Sequence, residues 1–109
     1  MSGSALIDLE IESSTEGEVR ARVPVTDGLK QPLGLVHGGV YAVIADALTA
    51  GDGRVVTSQT SFLRPVVSGT MAVVARRRHS GRTTAVWETD VADGEGRLCA
   101  VVRTTVARG

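Results

Sequence analysis

The chain has 109 residues, in which twelve Lys and Arg balance twelve Asp and Glu. That length supports one domain with a modest core rather than two, expected over residues 1–109. The balanced charge gives no general attraction to nucleic acid or to a membrane surface. One Cys and two His fall short of the about four ligands of a structural zinc site, and the single Cys99 excludes an internal disulfide. The opening MSGSALIDLEIESS carries acids where a signal peptide has a basic start. With no apolar run near the ~18 residues of a membrane helix, a soluble cytoplasmic protein is expected.

Most of the chain alternates with period two and is rich in Val, Thr and Arg, the pattern of half-buried strands. Strands are expected at Ala5 to Glu12, Glu18 to Val25, Arg54 to Arg64, Thr70 to His79, Arg82 to Val91 and Leu98 to Ala107. Turn residues separate them at Thr15-Glu16-Gly17, Ser68-Gly69, Ser80-Gly81 and Asp93-Gly94-Glu95-Gly96. The last four strands follow one another closely, which predicts an antiparallel meander.

Between the second and third strands the pattern changes. From Gly38 to Ala50 no Pro occurs and small and apolar residues dominate, which predicts one helix of about three turns. Spacing at about 3.6 residues per turn puts Gly39, Ala42, Val43, Asp46, Thr49 and Ala50 on one face, and Val40, Tyr41, Ile44, Ala45 and Leu48 on the other. A helix apolar nearly all round should be enclosed, and an enclosed Asp46 is unusual unless paired or used. One helix with a six-stranded antiparallel sheet gives an α+β domain in which a curved sheet wraps the helix. So small a sheet cannot cover a helix on every side, so a second copy packed against the helix region is expected.

The helix start is the first place to look for chemistry. Its leading N–H groups lack intrahelical partners and carry the positive end of the dipole, so they favour an oxygen that gains negative charge. Gly38 and Gly39 let a substrate approach that backbone closely, although they also suit a mere tight entry to the helix. Asp46 could act on a substrate or be satisfied by backbone or Thr49. His37 suits a residue that caps or orients the helix start better than an acid–base catalyst. Gln31 is a candidate polar contact or an exposed loop amide. The run Arg76-Arg77-Arg78-His79 must alternate faces on a strand, so at most half of it points one way. Arg64, Arg78 and Arg82, with Ser80 and Thr83 near the hairpin, could hold phosphate oxygens. Trp87 reads as core or interface, and Cys99 as a small buried hydrophobe.

The segment VHGGVYAVIAD, in which the acid follows His37 by nine positions, the strand end TSFLRPV and the Gly81-Arg82 hairpin together resemble the hotdog-fold acyl-CoA thioesterases. The likeness is to the group holding the 4-hydroxybenzoyl-CoA and phenylacetate-pathway enzymes, and it runs from about Gln31 to Ala107. It implies a hotdog fold and hydrolysis of a small acyl-CoA, aromatic acyl groups included, without metal or organic cofactor, in a homodimer or homotetramer. It implies further that Asp46 is the catalytic carboxylate, that Gly38 or Gly39 supplies the oxyanion hole, and that Gln31 and His37 support them. Some members hold the water with a hydroxyl four positions after the acid; here that position is Ala50, with Thr49 beside it. The acid and the glycine N–H often come from different subunits in this family. Two alternatives share the fold: a non-catalytic acyl-CoA or carrier-protein binding module, and a hydratase or dehydratase, which would place a His and an acid at another spacing.

Overall fold

Alternating side chains sort six segments into strands with one wet and one dry face. The computed structural model describes residues 7–108. Its strands are β1 (Glu10–Ser14), β2 (Glu18–Pro24), β3 (Arg54–Phe62), β4 (Thr70–Ser80), β5 (Thr84–Ala92) and β6 (Leu98–Ala107), and its one α-helix is α1 (Gly38–Thr49). The first two residues of the expected first strand, Ala5 and Leu6, lie outside the described residues, and pairing begins only at Glu10. On β2 the buried Val19, Ala21 and Val23 alternate with exposed Arg20 and Arg22, and on β5 Ala85, Trp87, Thr89 and Val91 point inward. Trp87 and Cys99 are both core residues, as their neighbours in sequence suggest.

The sheet is antiparallel throughout, in the order β1-β2-β4-β5-β6-β3. The expected meander of the last four strands therefore holds for β4, β5 and β6 but not for β3, which pairs with β6 at the far edge. Leu63 to Gly69 is no hairpin. Its first residues donate to the Cys99 carbonyl, from Leu63 N at 2.8 Å and Arg64 N at 3.1 Å, and buried Val66 accepts from Val36 N at 2.8 Å. These bonds carry the chain across the end of the sheet rather than back along β3. As a result β3 is an edge strand, exposed at Val56 and Phe62, with Leu63 exposed just beyond it.

The helix lies on the inner face of the sheet. Tyr41, Ile44, Ala45 and Leu48 enter the core as their spacing predicts. The expected enclosure fails on the other side. Asp46, Ala47 and Ala50 are exposed, because this one sheet has no second layer to put over them. Thr49 also departs from its expected face: it is buried and its hydroxyl donates to the Ala45 carbonyl at 2.9 Å. The last turn tightens to a 3-10 turn at Ala50–Asp52, and Gly53 then adopts φ 147°. A side chain there would run into the Ala107 carbonyl, so only glycine lets the chain leave the helix so close to β6. Among the described residues no helix is long and apolar enough to cross a membrane.

Candidate active site

The approach to the helix is a short, fully bonded loop. Gln31 N donates to Leu35 O at 2.7 Å, Gly34 N to Gln31 O at 2.9 Å, and Lys30 bridges Val36. Gly34 takes φ 86°, which closes the turn. The Gln31 Oε1 accepts from Leu33 N, which fixes the side chain and leaves its amide NH2 to donate elsewhere. His37 N then donates to Leu29 O at 2.8 Å and delivers the chain into α1 in extended conformation.

His37 is the N-cap, as its position suggested. Its Nδ1 accepts from Gly39 N at 3.1 Å, and its carbonyl accepts from Val40 N at 3.0 Å. The two glycines are thereby distinguished. The Gly39 N–H is occupied, whereas the Gly38 N–H has no acceptor among the described residues. Gly38 lines a cavity of about 510 Å³ with Gln31, Tyr41, Phe62 and Arg64. The Tyr41 and Phe62 rings stand 6.1 Å apart and tilted by 54°, making an apolar wall beside the free amide. Burial pushes the Tyr41 hydroxyl pKa upward, so it stays a neutral phenol at physiological pH.

Asp46 lies two turns further on. No hydrogen bond or ion pair to its carboxylate forms among the described residues, and Thr49, which could have satisfied it, is committed to Ala45. Although its residue is exposed, the apolar helix around it partly desolvates the carboxyl and raises its pKa above the usual carboxylate value. Gly38 and Asp46 are eight positions apart, about 12 Å along the axis at about 1.5 Å per residue. One reacting carbonyl cannot touch both on the same helix.

The basic candidates divide between the two ends of the sheet. Arg64 joins Gln31 and Gly38 at the helix start. Arg78, Ser80 and Arg82 lie at the other end, because antiparallel pairing sets Ser80 beside Ala85 and Thr84 beside Ala107, while Phe62 pairs with Ala100. A single phosphate site built from Arg64 with this hairpin is therefore not formed within one chain. Arg78 sits at a bulge and pairs with Glu88 at 3.5 Å, and the Ser80 hydroxyl accepts from Arg108 at 2.8 Å. Arg82 is exposed and makes no ion pair among the described residues.

One cluster was not legible in the sequence. Asp52 accepts from Trp87 Nε1 at 2.7 Å and from Arg108 Nε and Nη2 at 3.1 and 2.8 Å, with Arg77 at 3.9 Å and stacked 5.8 Å over the Trp87 ring. Burial works against the Asp52 charge, but the Trp87 and Arg108 bonds outweigh it and hold its pKa below the usual value. These residues come from α1's end, β4, β5 and the segment after β6. No local pattern announces them, and they clamp the helix C-terminus onto the sheet.

Comparison with known proteins agrees with this architecture. Residues 27–109 match the model of the acyl-CoA thioesterase N-terminal domain. The 1,4-dihydroxy-2-naphthoyl-CoA hydrolase of Escherichia coli K12 is 31% identical over 93% of this chain and 82% of its own. A solved thioesterase from Haemophilus influenzae superposes with a TM-score of 0.87 at 29% identity, covering 97% of this chain and 81% of that one. The PaaI protein of the Escherichia coli phenylacetic acid degradation operon does so with 0.88 at 26% identity, over 96% and 86%. With a family model over most of its length and the same sheet wrapped on the same helix, the chain belongs to the hotdog-fold acyl-CoA thioesterase family and is a thioester hydrolase.

Proposed function

We propose that the protein hydrolyses a coenzyme A thioester in a site shared by two copies of the chain, with Asp46 of one copy acting beside Gly38 of the other. The observation that carries this reading is the unpaired Asp46 carboxylate on the open stripe of α1, too far from its own free Gly38 amide to share a reacting carbonyl with it. A two-fold axis that sets two α1 helices antiparallel brings each carboxylate toward the other's helix start. The same symmetry suits β3, whose nine-residue edge has no partner among the described residues and is exposed at Val56 and Phe62. Strand-to-strand pairing there satisfies an edge that is otherwise open to aggregation.

In this site the thioester oxygen accepts from Gly38 N–H, and the Gln31 amide donates to the same oxygen or to the attacking water. Asp46 takes a proton from that water, or attacks the carbonyl itself to give a mixed anhydride that water then opens. Either route ends in the free acid and the coenzyme A thiol. The Arg82 hairpin of the second copy reaches the helix start of the first and meets the coenzyme phosphates, with Arg78 and Ser80 on the same hairpin and Arg64 at the cavity mouth. Thr49 takes no part, since its hydroxyl is turned into the helix.

Thiol release from a panel of acyl-CoAs tests the reading. Wild-type protein should release coenzyme A, and Asp46→Asn, which keeps size and packing, should lower turnover at least about a hundredfold. Near wild-type turnover in that variant removes Asp46 from the mechanism. Light scattering that finds a stable monomer at micromolar concentration removes the shared site.

A further inference from the structure

A second cavity, of about 350 Å³, opens on the flank of α1 away from the Gly38 cavity. Ile7, Leu29, Val40 and Val43 give it apolar walls, and Lys30 and His37 line it beside the backbone of Gly28 and Gly39. Lys30 is the chain's only lysine in a sequence otherwise rich in arginine. Its side chain is 26% exposed, and its one ion partner among the described residues, Asp27 at 3.5 Å, is fully open to water and so holds it weakly. His37 brings a second donor. Because its Nδ1 accepts from Gly39 N–H, the neutral ring carries its proton on Nε2.

The polar groups that Lys30 and His37 offer to this cavity are therefore donors, one of them cationic, set among aliphatic side chains. Such a set favours a ligand with an apolar body and an anionic acceptor, because a neutral body leaves the ammonium poorly satisfied once water is displaced. The helix start separates the two cavities, so a thioester bound at Gly38 has one for each of its arms. Arg64 marks the first as the side of the coenzyme.

Building on the thioesterase reading above, we propose that the Leu29–Val43 cavity receives the acyl group and that Lys30, assisted by His37, selects acyl chains ending in a carboxylate. The cavity lies near the lower end of the roughly 300–1,000 Å³ usual for small-molecule sites, which fits a short chain.

The test compares two coenzyme A thioesters of equal chain length, the half-thioester of a short dicarboxylic acid and its methyl-ended counterpart. Wild-type kcat/KM should favour the carboxylate by about ten- to hundredfold, the range of one hydrogen bond to a charged group. Lys30→Met should bring that ratio close to one, and Lys30→Arg should keep part of it. Equal wild-type rates on the two substrates overturn the inference and leave the thioesterase reading intact. A preference that survives Lys30→Met also overturns it, and so does hydrolysis of neither substrate, in which case the wider acyl-CoA panel alone decides the thioesterase reading. The wild-type ratio needs no variant, so a folding failure of Lys30→Met does not shelter the inference.

Discussion

Gly38→Pro is the sharpest perturbation of the proposed oxyanion site, because it deletes one N–H while leaving the local backbone almost as it is. Gly38 is the first residue of α1, the position at which proline is best tolerated in a helix. His37 before it has φ −65° and ψ 134°, the extended conformation that a following proline requires. The His37 bond to Gly39 N is untouched. A Cβ at Gly38 meets the Phe62 ring at 3.0 Å, but Phe62 is 64% exposed and its ring can turn outward. Stability should therefore change by less than about 1 kcal/mol, while losing one oxyanion donor should lower kcat by about a hundred- to a thousandfold. Steady-state thiol release, with circular dichroism to confirm the fold, measures both. Mixing this variant with Asp46→Asn adds an independent readout. If subunits exchange at random, half the dimers are mixed and each holds one intact site, so about a quarter of wild-type activity should return. No recovery in a sample shown to contain mixed dimers would falsify the shared site, and a Gly38→Pro enzyme with near wild-type kcat refutes the role of that amide.

Asp46 also makes a stability prediction. Its folded pKa is raised above the unfolded value, so the folded chain binds this proton more tightly and stability is lost as pH rises through the carboxylate range. Asp46→Asn should therefore raise the Tm at neutral pH, with the gain vanishing below the ordinary carboxylate pKa; a lower Tm at neutral pH contradicts the desolvation of this group. Asp52 has the opposite sign. Its lowered pKa gives stability that is present above the ordinary carboxylate pKa and is lost as pH falls through the folded value. Asp52→Asn should cost about 1.5–3 kcal/mol in urea unfolding at pH 7 and alter the emission of Trp87, the only tryptophan; an unchanged midpoint would show that the clamp contributes nothing. Arg82→Ala should raise KM more than it lowers kcat, since a phosphate contact far from the carbonyl binds ground and transition states alike. Unaltered kinetics place that hairpin outside the coenzyme site.

Periodicity along the chain determined each element's type and most of its inward residues. Alternation in β2 and β5 names Val19, Ala21, Val23, Trp87 and Val91, and the helical spacing names Tyr41, Ile44, Ala45 and Leu48. The candidate site's ingredients were equally local, because His37, Gly38 and Asp46 belong to one helix and its entry. Pairing is another matter. Nothing in the alternation of β3 states whether its neighbour is β4 or β6, since both offer a compatible face; the bonds of Leu63, Arg64 and Val66 decide it. That crossover made β3 an open edge. Only the fold revealed that His37 occupies the Gly39 amide and leaves Gly38 free, that Arg64 and Arg82 stand at opposite ends, and that Asp46 is uncovered. The Asp52 clamp joins residues from four distant segments. Sequence spacing fixes which side of its own element a side chain occupies, whereas the partner on that side is set by long-range packing, which leaves no periodic trace in the chain.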